Sequence, residues 1–421
     1  MTITVEPPPI GVRGTAWRAA KGFVHGTHRC IPPEETLDRI RPLLPRCGVT
    51  RLADITGLDR LGLCTTIAYR PNSRTLASGS GKGFTRVAAL VSGAMEAIEI
   101  DHSEYVVSPA VRASFAELEQ SGVSIPRQRL RLSRHALFDP GRAEYWHAGW
   151  DLIGQREVYV PHNAVSMLRH PEERARYPLA LANDSNGLAS GNHLLEAICA
   201  GLLEVIERDA VSCHRIAEFR TGQVPPRVDL DHADLPLVHD LITMLRAADL
   251  APVLMDCTVD TDVPVYVAYL IDRRTRHRGI ASGFGAHLDP EIAMIRALTE
   301  AAQSRLIYIA GARDDMFRHD DAYFRGHDTL DTVAQFDGIT PRSESALRSQ
   351  ATDSFEGDIA RLIDKLVHVG IEQLILVDLT RDDIGVPVVR VVVPGLEGYA
   401  SPQFAAGPRA AAFCQSRAAV S

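Results

Sequence analysis

Two nine-residue stretches, GAMEAIEID at 93–101 and GLLEVIERD at 201–209, share the pattern G-x-[ML]-E-x-I-E-x-D. Residues three apart lie on one face of a helix, so Glu96 pairs with Glu99 and Glu204 with Glu207. At about 100° per residue, Glu196 falls about 20° around the axis from Glu207 and joins the second face. Like charges on neighbouring turns repel. Their flanks here are apolar (Met95, Ile98, Leu203, Ile206), which predicts partial burial. A buried carboxylate cluster needs a cation or protonation. Mg²⁺ suits such a site, because it is a hard ion that takes oxygen ligands and commonly shares them with substrate phosphates. A single Glu pair ordinarily marks a solvated face, and two copies in one local context weigh against that.

Each acidic stretch follows a Gly/Ser-rich segment: SGSGKG at 78–83 and DSNGLASGN at 184–192. Both read as loops whose backbone N–H groups can approach an anion near a helix N-terminus. Lys82 stands in the first. The P-loop pattern GxxxxGK[ST] fails, since it would need Gly at 76 and Ser or Thr at 83, where Leu76 and Gly83 stand. A third Gly-rich loop is expected around Ser282, Gly283 and Gly285, ahead of a third helix at 290–310. That helix carries Arg296, Glu300 and Gln303 within about 60° of one another, and Arg305 nearly opposite Arg296. Either arginine is a candidate phosphate clamp, since guanidinium binds phosphate bidentately. A local Arg296–Glu300 salt bridge is the alternative.

These groups need long helices to hold them, and the apolar periodicity predicts helices at 84–104, 192–219 and 290–310. Further helices are expected at 33–45 and 359–369. Strands are expected at 61–69, 144–148, 157–160, 263–271, 374–379 and 386–393. Residues 1–30, with Pro7, Pro8 and Pro9, read as an irregular lead-in, and 311–355 as a mobile polar excursion rich in Asp and Arg. The fold class is α/β (α+β), with loop-plus-acidic-helix units repeated on mixed sheets.

The chain has 421 residues, a net charge of -8 and 45% hydrophobic residues. That balance argues against nonspecific nucleic-acid binding, which needs a basic face. Seven widely scattered cysteines without a CxxC pair read as reduced thiols of a cytoplasmic protein. There is no signal-peptide pattern and no run of about 18 apolar residues, so neither secretion nor a membrane span is expected. HGTHRC at 25–30 lacks the second pair a zinc site would need. Cys213 and His214 diverge by about 100° on a helix, which disfavours a catalytic pair.

The stretches SGSGKG…SGAMEAIE, SNGLASGNHLLEAICAGLLEVIERD and GAHLDPEIAMIRALTEAAQSR, with IGVPVVRVVVPGLEG near the end, resemble the signatures of the YcaO family over about 45–400. The resemblance implies a 1–45 N-terminal extension, a 46–400 ATP-binding catalytic domain and a 401–421 tail. It implies ATP and Mg²⁺ as cofactors. Glu96, Glu99, Glu196, Glu204 and Glu207 would hold the metal; Lys82, Ser92, Asn192, Arg208 and Gln303, with Arg296 or Arg305, would hold the nucleotide. The family's ExxER ending of the first stretch has Ile100 in its last place, and a position that is often Ser is Ala189. The implied chemistry is nucleophile addition to a peptide amide, phosphorylation of the amide oxygen and loss of phosphate. The product would be an azoline, a thioamide or a macrolactamidine. The substrate would be a ribosomally made precursor peptide, with a separate TfuA-like or leader-binding protein as partner. A homodimer is a family-level expectation. No PxPxP tail is present, and the RVVVPGLEG ending is similar to that of thioamide-associated members. A YcaO-like domain that only binds a peptide or partner enzyme is the competing reading.

Overall fold

Glycine decides the architecture around the acidic helices. The segment SGSGKG, expected as a loop, is a β-strand, Ser78–Gly83, paired antiparallel with Cys64–Tyr69. Its glycines serve close packing. A Cβ at Gly81 would overlap the Ala89 carbonyl and the Gly93 amide of the following helix, and a Cβ at Gly79 would sit 2.8 Å from the Ala97 nitrogen. The helix, Arg86–Glu104, therefore lies directly on the strand backbone. The second correction has the same cause. Ser282, Gly283 and Gly285 belong to a strand, Ile280–Ala286, and a Cβ at Gly285 would overlap the Ala293 carbonyl of Pro290–Ala310. Gly81→Ala is accordingly expected to cost more than the usual overpacking range of about 1–3 kcal/mol, because backbone atoms cannot yield as side chains do. Chemical denaturation checks this; a loss within about 0.5 kcal/mol of zero would show that the strand and helix are free to separate.

The strand–helix unit occurs three times. Unit one is Ser78–Gly83 with Arg86–Glu104, unit two Leu188–Ser190 with Leu194–Thr221, and unit three Ile280–Ala286 with Pro290–Ala310. Aligned on the helix N-caps Thr85, His193 and Asp289, the six-residue stretches that carry these strands read SGSGKG, NGLASG and SGFGAH. Each cap side chain accepts a hydrogen bond from a first-turn N–H, as capping requires.

Each unit's strand is the edge of a different sheet. Ser78–Gly83 ends a three-stranded sheet with Cys64–Tyr69 and Arg51–Asp54. Ile280–Ala286 ends a five-stranded sheet next to Val265–Asp272. Leu188–Ser190 ends the largest sheet beside Val388–Val392, which continues through Ile375–Asp378 to Ala143–Asp151. Residues of all three edge strands line one cavity. The second helix is the most deeply packed: Leu195, Ile198, Leu202 and Ile206 are all fully buried.

The chain ends are tied to this frame. The lead-in carries a hairpin, Ile10–Val12 with Thr15–Trp17, where no regular structure was expected. Lys21 Nζ then reaches Asp358 at 2.6 Å. A final helix, Pro408–Ala418, packs on the second acidic helix. The computed structural model describes residues 7–106, 108–125, 129–133, 138–168, 184–230, 235–275, 279–312, 329–342, 348–398 and 405–418. Much of the expected 311–355 excursion lies outside these residues; a helix at Thr329–Asp337 lies within. No helix among the described residues is long and apolar enough to cross a membrane.

Candidate active site

Alignment of the units places Glu96, Glu204 and Glu300 at one equivalent position, and Glu99, Glu207 and Gln303 at another. All six line one cavity of about 1620 Å³. The sequence patterns had given two carboxylate pairs; the third helix supplies a carboxylate and a carboxamide in the same places. Glu300 is the cavity carboxylate that the sequence pattern did not single out as a candidate ligand. The signal was present in the spacing from Asp289-Pro290 to Glu300, but TEAAQ does not match E-x-I-E by eye.

The sheet edges explain why carboxylates stand here. An edge strand carries unpaired N–H groups, and glutamates satisfy them. Ser80 N–H donates to Glu96 at 2.6 Å, Ser190 N–H to Glu99 at 2.8 Å and Phe284 N–H to Glu300 at 3.4 Å. The Ser80 and Ser190 hydroxyls donate to the same two glutamates. Contacts between units run in a ring. Lys82 of strand one reaches Glu300 at 2.9 Å and Gln303 at 3.0 Å on helix three. Its equivalent, Ser190 of strand two, reaches Glu99 on helix one. Phe284 of strand three lies beneath Arg208 and Arg215 of helix two, with guanidinium carbons 5.5 and 5.0 Å from the ring.

The remaining expected residues fall around the same cavity. Ser92, Asn192, Arg208 and Arg296 line it. Glu196 accepts from the Cys30 N–H at 2.8 Å and from Asn192 at 3.4 Å, with Arg29 at 3.7 Å. The two candidate arginines separate. Arg305 is held by Asp59 at 2.7 Å and Asp272 at 3.1 Å. Arg296 turns to the acids but makes no ion pair with Glu300 among the described residues; its Nε is buried without a hydrogen-bond partner. Phe23, His25, Thr27 and Arg29 of the lead-in form a further part of the wall. His28 comes close to His287 and Asp358. Lys21 neutralises that carboxylate, and His287 Nδ1 accepts from the Asp289 N–H, so the trio reads as a packed polar cluster.

Electrostatics make the cavity a cation site. Burial pushes Glu99 up to about 8, with Glu96 and Glu204 adding to the rise. Burial likewise lifts Glu204 to about 7, and raises Glu96 and Glu207. Glu300 goes the other way: burial pushes it up, but Lys82, Arg208 and Arg296 together hold it below the ordinary value. The donor set is all hard oxygen, and Arg296 brings to the same space a cation with no ion pair among the described residues, so a divalent metal with a polyphosphate fits both demands. Without metal, Glu99 and Glu204 hold protons that the unfolded chain releases near the ordinary 4.5. The unfolded state then binds fewer protons, so stability of the metal-free protein should fall as pH rises from about 4.5 to about 8 and level off above. Mg²⁺ affinity should rise over pH 7 to 8, as the metal replaces those protons. Thermal melts with and without Mg²⁺ across pH 5–9 check both slopes; parallel curves would remove these glutamates from the metal site.

The chain is similar to known proteins along most of its length. A family profile described as YcaO cyclodehydratase, ATP- and Mg²⁺-binding, matches residues 80–397. An uncharacterized protein of Methanothermobacter thermautotrophicus is 37% identical, over 88% of this chain and 95% of its own. A protein from the tfuA 3′ region of Rhizobium leguminosarum bv. trifolii is 32% identical, over 93% of this chain and 94% of its own. Among solved structures, a heterocyclase in complex with substrate and cofactor superposes with TM-score 0.74 and 25% identity, covering 93% of this chain but only 54% of that one. The YcaO protein of Methanopyrus kandleri bound with AMPPCP and Mg²⁺ superposes with TM-score 0.68 and 26% identity, covering 90% and 95%.

Proposed function

The chain belongs to the YcaO family, whose members bind ATP and Mg²⁺, and from that premise we propose that it is an amide-activating enzyme acting on the backbone of a precursor peptide. The observation that carries the proposal is the convergence of Glu96, Glu99, Glu204, Glu207, Glu300 and Gln303 from three helices onto one cavity. In this reading Glu96, Glu99, Glu196, Glu204 and Glu207 hold Mg²⁺. Arg296 and Arg208 take the phosphates, with Ser92, Asn192 and Gln303 alongside. Bound ATP supplies the phosphoryl group that turns an amide oxygen into a leaving group. Lys82 keeps Glu300 ionised. A site that positions its reactants and neutralises charge is what phosphoryl transfer demands.

The substrate carbonyl accepts a nucleophile, its oxygen departs as phosphate, and the nucleophile decides the product. A sulfide donor gives a thioamide and an adjacent side-chain thiol or hydroxyl gives an azoline. The thioamide outcome is preferred, with a TfuA-like protein as partner, because a relative at 32% identity is encoded in a tfuA 3′ region. The purified protein incubated with ATP, Mg²⁺, sulfide, a candidate precursor peptide and the partner should show peptide-stimulated release of phosphate. Intact-mass analysis should show exchange of oxygen for sulfur. Loss of water instead would replace the thioamide reading with an azoline. No nucleotide turnover under any combination would favour a peptide-binding scaffold.

A further inference from the structure

We propose that Arg409 of the C-terminal helix is a positioning residue for the second metal-binding helix, acting through Asp209. The inference comes from the threefold repeat and lies beyond the ligand sets described above. Asp101, Asp209 and Arg305 occupy one equivalent position, five residues after the first glutamate of each unit. Five residues place it about 140° around the axis from that glutamate; Asp101 and Asp209 do not line the cavity, whereas Arg305 does. In every unit the position holds a charge that meets an opposite charge from a segment outside the repeat. Asp101 takes Arg70 at 2.9 Å and Arg381 at 2.7 Å. Arg305 takes Asp59 at 2.7 Å and Asp272 at 3.1 Å. Asp209, fully buried, takes Arg409 at 2.9 Å, and Arg409 also reaches Asp260 at 2.6 Å.

The sign of the charge reverses in unit three while the pairing persists. A residue whose charge can invert contributes no specific chemistry to a ligand. What is common to the three units is a fixed anchor on the back of each helix. The front faces supply the reason for one. Glutamates crowded into a shared cavity repel, and an unanchored helix would relieve that by rolling or sliding. Arg409 is well placed to prevent it. Its fork spans Asp209 and Asp260, and its own helix is fastened by Glu397, which accepts from the Gly407 and Ala410 N–H groups while its own N–H donates to Asp209 at 2.7 Å. All three anchors draw on a residue outside the span 80–397 matched by the family profile, Arg70 and Asp59 before it and Arg409 after it. The C-terminal helix is thereby part of the site's framework.

The test uses the full-length chain with Arg409→Met and Arg409→Lys. The first readout is amide hydrogen exchange by mass spectrometry on the metal-free protein. Arg409→Met should speed exchange of peptides covering 200–210 about tenfold, and leave those covering 290–305 unchanged. Equal acceleration everywhere, or none at 200–210, would overturn the proposal. The second readout rests on the metal reading proposed above: Mn²⁺ binding with AMPPCP, followed by electron paramagnetic resonance well below each variant's melting temperature. Affinity should fall about tenfold in Arg409→Met and about threefold in Arg409→Lys, whose ammonium cannot span both carboxylates. Lowered melting with wild-type Mn²⁺ affinity in both variants would reduce Arg409 to a stabilising contact. Wild-type protein that binds no Mn²⁺ would count against the metal reading, and the exchange result would still decide on Arg409. If Arg409→Met does not fold, the Lys variant decides by the same two readouts.

Discussion

Glu204→Gln and Glu207→Gln are each expected to lower ATP turnover by about 10²–10³-fold, the usual loss when one preorganised electrostatic group is removed. The same variants should make the metal-free protein more stable. Burial raises both acids, so the wild-type fold carries the cost of keeping ionisable groups in a site that lacks a cation, and a neutral isostere removes it. Glu207→Gln is structurally well tested, because unit three already carries Gln303 at the equivalent place. Higher melting with lost turnover is the pattern of a metal site, where stability is given up for function. Glu300→Gln should differ. Lys82 already neutralises Glu300 at 2.9 Å, so its loss should cost less turnover and should leave Lys82 held by Gln303 alone, at 3.0 Å. Phosphate release and thermal melts without Mg²⁺ check the set. Wild-type turnover in Glu204→Gln or Glu207→Gln would dismiss these helices as the seat of the chemistry.

The acids of units one and two were legible because helical spacing and repetition are both visible in a linear sequence. The helix starts were legible too, since Asp289-Pro290 is a cap followed by the residue best suited to a first turn. The strands before them were not. Gly and Ser read as turn formers, and nothing local says that SGSGKG will be pressed against Ala89 and Gly93. Tertiary closeness overrode propensity there, and the same override hid unit three. Once Ile280–Ala286 is read as a strand, its helix aligns with the other two and Glu300 takes its place. The lead-in was opaque for another reason. Phe23, His25 and Arg29 reach the cavity only because Cys30 N–H and Lys21 fasten the segment to Glu196 and Asp358, and contacts of that range leave no periodic trace.

Spacing had left Arg296 and Arg305 as equal candidates for the phosphate, and the structure makes them predict opposite outcomes. Arg305→Met removes the nearer counter-charge of half-buried Asp59 and leaves Asp59 and Asp272 to share Arg60, at 4.0 and 2.9 Å. Breaking one partner of a buried pair costs about 3–5 kcal/mol, and the surviving Arg60 contact places this loss toward the lower end. Turnover at a temperature where the variant is folded should fall no more than about tenfold, through imperfect placement of the helix. Arg296→Met should do the reverse. Its Nε has no protein partner among the described residues, so little folding energy is lost. The cation facing Glu204, Glu207 and the proposed phosphate position disappears, however, and turnover should drop about 10²–10³-fold. Arg296→Lys should recover only part of that, since a point charge cannot hold two phosphate oxygens in one plane. Urea denaturation beside ATP turnover separates the two arginines. A stable, inactive Arg305→Met with an active Arg296→Met would exchange their roles and move the phosphates to the opposite face of the third helix.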